Sequence, residues 1–369
     1  MNWSFFFFVL FLLNSFFCSG QKTCNEFYKG ADISWCTELE NSGHKFYDLD
    51  GREYECTALM KEYGLNAIRL RVWVDPKRHG NWCNKEDLLV KAMRASCLGM
   101  DIMIDFHYSD WWADPGQQNK PVAWKGLKLD ELKDAIAGHT KDVLNLLKVN
   151  KITPKWVQVG NEIRPGMLWD EDISLSAASY EVHKEVGTEM VKYSANWKNL
   201  STFINVGYDA VKSIFPNAIV VVHLDNGADS NLYTWFFDEL QKNGGKWDMI
   251  GMSLYPYWTK LEHNEYTPEK VITDCIANIQ IVSKRYNCDV MIVETGMECG
   301  DENGNLVSDE LLQTGKEQLA SIIKKCRNDT DGRCKGVFYW EPECRPSQYR
   351  LGAFTEDGRP TIIMDAFKE

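Results

Sequence analysis

The chain has 369 residues, of which 44% are hydrophobic, and its formal net charge is -12. This hydrophobic content is sufficient for a sizeable core and argues against a disordered chain. The negative charge, without any basic stripe along the sequence, argues against binding to nucleic acid or to an anionic membrane surface and is compatible with an uncharged substrate.

The first twenty residues are predicted to be a signal peptide, which leaves residues 21–369 as the mature protein. Residues 5–17 are almost wholly apolar, are too few to span a bilayer, and are followed by the small residues Ser19 and Gly20. An uncleaved anchor is the alternative interpretation. Because no other segment is apolar enough to cross a membrane, we expect a secreted, extracellular protein.

Eight short apolar segments alternate along the chain with segments of helical periodicity. The predicted strands cover residues 28–34, 66–73, 100–106, 156–159, 218–222, 249–254, 290–294 and 336–340. The predicted helices cover residues 53–63, 86–98, 129–149, 201–215, 232–240, 268–285 and a segment that begins at Ser308. For the long connection over residues 170–198 we expect a short helix. The alternation favours a parallel sheet, and eight units favour its closure into one single-domain α/β fold, a (β/α)8 TIM barrel.

Two of these strands end in a glutamate, at positions far apart in the sequence. The run 156–159 leads to Asn161 and Glu162, and the run 290–293 leads to Glu294. One such glutamate by itself is more often a helix cap or a surface residue. Because the carboxyl ends of barrel strands meet at one face, the two glutamates are expected to face each other across one cleft. Glycoside hydrolysis uses such a pair of carboxyl groups.

Other predicted strands carry polar or aromatic side chains on one face or at their ends. Arg69 and Arg71 alternate with apolar residues, so both are expected to face the barrel lumen and to pair with a strand-end carboxylate. The alternative, an exposed edge, conflicts with a strand inside a barrel. After the third strand come His107, Asp110 and Trp112, which can donate, accept or stack. A lone histidine is more often structural, but within this group we favour a role in the cleft.

Eleven of the twelve cysteines lie beyond the predicted signal peptide. They have no CxxC spacing and no Cys/His metal pattern, so in an exported chain they are expected to form disulfides. The odd number leaves at least one thiol unpaired or paired between chains. Candidate pairs are Cys326 with Cys334, which a short loop separates, and Cys299 with Cys344, which lie on neighbouring predicted loops.

The strand-end motifs together resemble one enzyme family. In chain order they are GADIS, NAIRLRVW, DFHYSDWWADPGQQ, VGNEI with GMLW, SLYPYW, VETG and FYWEPE. This series resembles the arabinogalactan endo-β-1,4-galactanases, family 53 of the glycoside hydrolases. The resemblance covers nearly the whole mature chain and falls on seven of the eight predicted strand ends.

The resemblance implies a (β/α)8 barrel and a retaining reaction on β-1,4-linked galactose chains. It implies that Glu162 is the general acid/base and that Glu294 is the nucleophile. Glu162 must be protonated to give its hydrogen to the leaving oxygen, and its pKa is expected to be raised by burial and by the charge of Glu294. Retention requires the two carboxyl groups to lie about 5–5.5 Å apart. No cofactor is required for this chemistry.

The resemblance also suggests roles for residues around the two glutamates. Arg69 or Arg71, with His107, is expected to keep the nucleophile anionic. Asn161 is expected to hydrogen-bond the 2-hydroxyl of the sugar, and Tyr255 to lie against the nucleophile. The remaining candidates for substrate binding are the polar residues Asp110 and Asp225 and four of the 14 tryptophans, Trp112, Trp124, Trp258 and Trp340, as stacking platforms.

Two features depart from the family pattern. The residues that follow Glu294, through Cys299, and the high cysteine content are unusual for the family. Bacterial relatives often hold calcium in the loop after the seventh strand, and here Asp301, Asn303 and Asn305 offer oxygens at alternate positions. A solvated turn is at least an equal alternative for these three residues.

Two other functions are compatible with the same residues. A related barrel hydrolase acting on mannan or xylan would need the same two glutamates and different aromatic subsites. A lectin-like barrel would bind sugar without cleaving it, but such proteins usually lose one carboxylate and both are present here. The expected partner is a polysaccharide, not nucleic acid or membrane, and the expected oligomeric state is a monomer.

Overall fold

The computed structural model describes residues 26–169, 182–186, 189–193, 196–262 and 265–369. The predicted signal peptide lies outside these ranges. In chain order the strands are β1 (Tyr28–Asp32), β2 (Phe46–Tyr47), β3 (Glu53–Tyr54), β4 (Ala67–Val72), β5 (Asp101–Phe106), β6 (Trp156–Val159), β7 (Val182–Val186), β8 (Glu189–Tyr193), β9 (Ile219–Leu224), β10 (Met249–Leu254), β11 (Asp289–Thr295) and β12 (Cys334–Trp340).

The α-helices alternate with these strands. They are α1 (Cys36–Asn41), α2 (Cys56–Glu62), α3 (Lys85–Cys97), α4 (Leu129–Val149), α5 (Trp197–Ile214), α6 (Ser230–Lys242), α7 (Pro256–Glu262), α8 (Pro268–Tyr286) and α9 (Asp309–Asn328). Short 3-10 helices cover Lys77–His79, Val122–Trp124 and Ile362–Lys368. Pro268 opens α8 at a position where its missing N–H is not needed, and Thr267 caps that helix. None of the helices in the described ranges is long and apolar enough to span a membrane.

Eight of the strands form a closed barrel. Their order around the barrel is β1, β4, β5, β6, β9, β10, β11, β12 and back to β1. Every neighbouring pair is parallel. The predicted (β/α)8 barrel is therefore confirmed, and all eight predicted strands are present in it.

The long connection after β6 differs from the expectation. Where a short helix was expected within residues 170–198, the described residues include an antiparallel pair formed by β7 and β8. Residues 170–181 of the connection lie outside the described ranges.

The barrel interior changes from apolar to polar along the strands. Toward the amino ends of neighbouring strands, one buried cluster contains Ala67, Met103, Trp156 and Val221. Two residues further along the same strands come the buried polar residues Arg69, Asp105, Gln158 and His223. Because alternate side chains of a strand share one face, these polar residues also point into the lumen. The polar lumen therefore lies at the carboxyl ends of the strands.

The ten described cysteines, all those from Cys36 to Cys344, are free thiols in this structure. The predicted disulfide framework is thus not confirmed. Cys326 and Cys334 are hydrogen-bonding neighbours, as are Cys36 and Cys56. By contrast, the Cys299 thiol contacts the Phe354 carbonyl oxygen at 3.5 Å.

Candidate active site

A cavity of about 330 Å³ opens at the carboxyl ends of the barrel strands. It is lined by Glu162 and Glu294, so the structure places the two predicted carboxyl groups in one cleft. Seven other predicted site residues also line it: His107, Trp112, Asn161, Asp225, Tyr255, Trp258 and Trp340. The site therefore collects side chains from most of the barrel strands, as expected for the carboxyl face of this fold.

The turn after β6 presents Glu162 to the cleft. Gly160 has a φ of 81°, and a Cβ atom there would lie 2.5 Å from Ile163 Cγ2, so this position needs glycine. Glu162 itself has a φ of 48°, in the left-handed region that non-glycine residues rarely adopt. Such backbone strain is typical of functional positions.

The environment of Glu162 favours its protonated form. Burial raises the pKa of the Glu162 carboxyl well above the ordinary 4.5, and the negative charges of Glu294 and Asp225 raise it further. The Ser253 hydroxyl lies 2.6 Å from Glu162 Oε1, and it lowers the Glu162 pKa when it donates to the carboxylate, against the larger effect of burial. A carboxyl group held in this way is suited to donate a proton at neutral pH.

Glu294 is held by a cation and a phenol. Its Oε1 lies 2.9 Å from Arg69 Nη1, and its Oε2 accepts a hydrogen bond of 3.1 Å from Tyr255 Oη. Burial raises the pKa of Glu294 to about 7, against the opposing effect of the Arg69 charge. Arg69 and Tyr255 thus stabilise the anionic form and orient it toward the cleft.

Arg69 joins the carboxylates of the barrel lumen. It is fully buried, and its guanidinium lies 2.9 Å from both Asp32 and Asp105 as well as from Glu294. His107 Nε2 lies 2.9 Å from Asp105. His107 therefore orients a neighbour of Arg69, and it does so from the wall of the cleft.

Asn161 is fixed within the same network. Its Oδ1 accepts a hydrogen bond of 2.8 Å from Arg69 Nη2, and its Nδ2 donates one of 2.8 Å to the Ala113 carbonyl oxygen. These two bonds settle the orientation of the Asn161 amide, because the guanidinium can only donate and a carbonyl can only accept.

Arg71 packs against Trp112, which with Trp258 and Trp340 forms the aromatic wall of the cleft. Its guanidinium pairs with Glu341 and lies 4.2 Å from the ring centre of Trp112. Trp35 is in edge contact with both Trp112 and Trp340, with ring centres 5.2 and 5.5 Å apart. Arg71 is therefore placed to orient Trp112 directly and Trp340 through Trp35, and it does not line the cavity.

Besides the two arginines, two predicted site residues do not line the cavity. Asp110 accepts hydrogen bonds from the backbone N–H groups of Asp75 and Val122, and it thereby ties two loops together. Trp124 is buried, with its ring in contact with Tyr108 and His139. Neither is among the residues that line the cleft.

The calcium candidates form a self-contained turn. Asp301 Oδ1 accepts hydrogen bonds of 2.8 Å from the backbone N–H groups of both Asn303 and Asn305. Within the described part of the chain, no group of three or more His, Cys, Asp or Glu side chains could hold a metal ion. Calcium binding at this turn stays a prediction.

Several site residues were not predicted from the sequence. They are Asp32, Asp105, Gln158, His223, Ser253 and Tyr349, of which Ser253 and Tyr349 line the cleft. The available signal was a polar residue inside an otherwise apolar strand, as with Gln158 in β6. Such a residue in a barrel strand is buried and must have partners.

The Arg71–Glu341 pair gives a stability prediction. Both side chains are fully buried, and Glu341→Gln removes the nearer of the two carboxylates beside the Arg71 guanidinium, the other being Asp32 at 4.0 Å. We expect the free energy of unfolding to fall by about 3–5 kcal/mol, measured by urea denaturation at pH 7. The control is Glu53→Gln at the exposed Lys45–Glu53 pair, which should change the unfolding midpoint little. Equal effects of the two substitutions would contradict a structural role for the buried pair.

The family expected from the sequence motifs is confirmed by comparison with known proteins. The family model for glycosyl hydrolase family 53 matches residues 28–360. A Niallia circulans protein named "Uncharacterized protein in bgaB 5'region" is 33% identical over 93% of this chain and 90% of its own length. The arabinogalactan endo-beta-1,4-galactanase of Thermothelomyces thermophilus is 28% identical over 85% of this chain and 89% of its own.

A solved structure agrees with these sequence relatives. The GH53 catalytic domain of Ignisphaera aggregans is 28% identical, with a TM-score of 0.78 over 94% of this chain and 97% of that domain. Endoxylanase structures that also align are only 15–16% identical and share the fold alone. With the two glutamates in one cleft and the family model matching nearly the whole described chain, this protein is a glycoside hydrolase and belongs to glycosyl hydrolase family 53.

Proposed function

We propose that this protein is a secreted, retaining endo-β-1,4-galactanase that cleaves galactan and arabinogalactan chains by double displacement. The observation that carries the proposal is the difference between the two carboxyl groups of the cleft. Glu162 is held in conditions that favour the acid, and Glu294 is paired with Arg69. Supporting it, the relative from Thermothelomyces thermophilus carries the name of this activity.

In the first displacement, Glu294 attacks the anomeric carbon while the bond from that carbon to the leaving oxygen breaks. Glu162 gives its proton to the leaving oxygen, and the sugar becomes bound to Glu294 as an ester. Arg69 and Tyr255 hold the nucleophile in place until its charge is consumed.

In the second displacement, a water oxygen attacks the same anomeric carbon and the ester bond to Glu294 breaks. The ionised Glu162 takes a proton from this water and returns to its acid form. The product keeps the β configuration, because two inversions restore the original one.

The aromatic wall is the basis for a neutral sugar substrate. Trp112, Trp258 and Trp340 all line the cleft, and Trp258 is 38% exposed, which leaves ring surface available to a ligand. Aromatic faces bind the apolar faces of sugar rings without requiring charge. Galactose, whose apolar ring face lies opposite its axial 4-hydroxyl, is the sugar that the family relationship favours.

A substrate panel tests this proposal. Purified protein is incubated with linear β-1,4-galactan, xylan and mannan, and released reducing ends and chain length are followed together. We expect rapid shortening of galactan chains and no cleavage of the other two. Cleavage of xylan or mannan alone would overturn the substrate assignment, and sugar binding without cleavage would indicate a lectin.

The pH dependence of kcat/KM is predicted to be bell-shaped. Activity requires ionised Glu294 and protonated Glu162. The acidic limb should therefore lie near the raised Glu294 pKa of about 7, above the 4.5 of an ordinary glutamate, and the alkaline limb should be set by Glu162, whose pKa is raised well above 4.5. Initial rates on galactan between pH 4 and 10 give both limbs. An acidic limb at an ordinary glutamate pKa would contradict the environment described for Glu294.

Export is expected to convert two pairs of neighbouring thiols into disulfides. Cys36 lies beside Cys56 and Cys326 beside Cys334, each pair buried and in hydrogen-bonding contact. Each would form by exchange with the disulfide of an oxidoreductase, which is reduced to two thiols as the new S–S bond forms. Peptide mapping of secreted protein without reductant should recover both linked peptides. Free thiols at these four positions in secreted protein would contradict this assignment.

A further inference from the structure

A chain of three short hydrogen bonds runs from Glu162 into the barrel lumen. Glu162 Oε1 lies 2.6 Å from Ser253 Oγ, and Ser253 Oγ lies 2.8 Å from His223 Nε2. On the other side of the imidazole, His223 Nδ1 lies 2.9 Å from Asn161 Oδ1. Ser253 is 2% exposed and His223 is fully buried, so water cannot replace these partners.

The fixed amide of Asn161 determines which nitrogen of His223 carries a hydrogen. Asn161 Oδ1 already accepts from Arg69 Nη2, so the atom that faces His223 Nδ1 is an acceptor. His223 Nδ1 must therefore donate.

Gln158 does not change this assignment. Its Nε2 lies 3.1 Å from His223 Nδ1, but it has closer acceptors in Asp105 Oδ1 at 2.6 Å and in the Gly160 carbonyl oxygen and Asn161 Oδ1, both at 3.0 Å. These closer acceptors take both N–H groups of the amide, and none is needed for His223.

The second nitrogen of His223 is consequently an acceptor. Burial lowers the pKa of His223 well below its ordinary value, and the charges of Arg69 and His107 lower it further, so the ring is neutral. A neutral imidazole with its hydrogen on Nδ1 has a bare Nε2, which accepts the hydroxyl hydrogen of Ser253. Because a serine has one hydroxyl hydrogen, Ser253 Oγ has none left for Glu162.

We propose that His223, acting through Ser253, is a positioning residue that holds the acid hydrogen of Glu162 in the free enzyme. With the Ser253 hydrogen directed to His223, the 2.6 Å contact is satisfied when Glu162 donates to Ser253 Oγ. The inference rests on the proposed role of Glu162 as general acid/base. It adds that the protonation state of this carboxyl is governed by a histidine that does not touch the substrate.

These hydrogen bonds can change during the reaction without transfer of a hydrogen from one member of the chain to another. A glycosidic oxygen competes with Ser253 for the acid hydrogen and receives it as the glycosidic bond breaks. The Ser253 hydroxyl then turns from His223 to the new carboxylate, which leaves His223 Nε2 without a donor. When Glu162 takes a proton from the incoming water, the hydroxyl returns to His223. The buried unpaired nitrogen thus favours recovery of the acid form.

Other charges act on the two groups and must be held constant in a test. Those that face Glu162 are Glu294, Asp225 and Asp114, and those that face His223 are Arg69 and His107. Substitution of His223 alone leaves all of the charged groups that face Glu162 unchanged. In His223→Leu the Ser253 hydroxyl has only Glu162 to donate to, and this favours the carboxylate.

The experiment compares the pH profiles of kcat/KM, which reports on the free enzyme, for wild type, His223→Leu and His223→Gln. We expect the alkaline limb of His223→Leu to move to lower pH by about half a unit to one unit. The glutamine amide oxygen can stand in for Nε2, so His223→Gln should keep the wild-type limb. A purely structural role would lower rates at all pH values equally. An unmoved limb in folded His223→Leu would overturn the proposal.

A second measurement needs neither catalysis nor a folded leucine variant. The 15N NMR spectrum of histidine-labelled wild type, with His223 assigned through His223→Gln, distinguishes a protonated ring nitrogen from a bare one. We expect a neutral ring with hydrogen on Nδ1, and hydrogen on Nε2 would overturn the proposal. This result does not depend on galactan cleavage, so failure of the proposed function and failure of this inference remain distinguishable.

Discussion

Glu294→Ala is expected to reduce the hydrolysis of β-1,4-galactan by about four orders of magnitude or more, because the variant lacks the carboxylate that forms the glycosyl ester. Arg69 keeps Asp32 and Asp105 at 2.9 Å, so the variant should fold. Added azide should restore part of the activity on an aryl galactoside, since a small anion can enter the space of the lost carboxylate. The measurements are the initial rate on galactan and the configuration of the azide product.

The azide product distinguishes a nucleophile from a residue that only binds substrate. A single displacement by azide inverts the anomeric carbon, so the product should be the α-galactosyl azide. Glu298→Ala is the matched control, because this partly exposed glutamate lies near the same strand end and interacts with Arg350 at 3.5 Å. It should retain nearly wild-type rates. Substantial galactan hydrolysis by Glu294→Ala without azide would contradict the assignment of the nucleophile.

Glu162→Gln is expected to lower kcat on galactan by about 10²–10⁴-fold, the usual contribution of general acid–base catalysis. On an aryl glycoside with a good leaving group, which needs no protonation, the rate of the first displacement should fall only slightly. The alkaline limb of the pH profile should disappear, because the group that titrates there has been removed. Rates on the two substrates, measured from pH 5 to 10, check both expectations.

The same variant should be more stable than wild type as pH rises. The raised pKa of Glu162 means that the folded protein binds this proton more tightly than the unfolded chain does. The stability that the fold gains from the protonated Glu162 carboxyl is therefore lost progressively as pH rises from the ordinary pKa of 4.5 to the pKa of the folded protein. Glu162→Gln removes that loss, so its advantage in Tm should grow from pH 5 to pH 8. A difference in Tm that does not depend on pH would contradict a raised Glu162 pKa.

The barrel was largely predictable because its strands are short, apolar and bounded by polar tips. The prediction of a short helix within residues 170–198 was wrong for the described residues 182–186 and 189–193, which form the paired strands β7 and β8. A short segment of mixed residues fits a helix or a strand about equally well, and only its partner decides between them.

The site was predictable where the same signal occurs twice, because Glu162 and Glu294 each follow a short apolar strand and the ends of barrel strands meet at one face. The positions of Trp112 and Trp124 were not, because both follow β5 and only the course of the loop places one in the cleft and the other in the core. Ser253 and His223 were missed for a different reason. Each is a polar residue at an apolar strand, and its partner becomes evident only when β6, β9 and β10 are known to lie next to one another in this order.

The proposed mechanism requires two glutamates to act in succession on one anomeric carbon, with net retention. The most direct test follows the first minutes of galactan cleavage by 1H NMR, before the new reducing ends mutarotate. We expect the β anomer to appear first and the α anomer to grow in later at the rate of mutarotation. Initial appearance of the α anomer would mean a single displacement by water, and it would contradict the role of Glu294 as nucleophile.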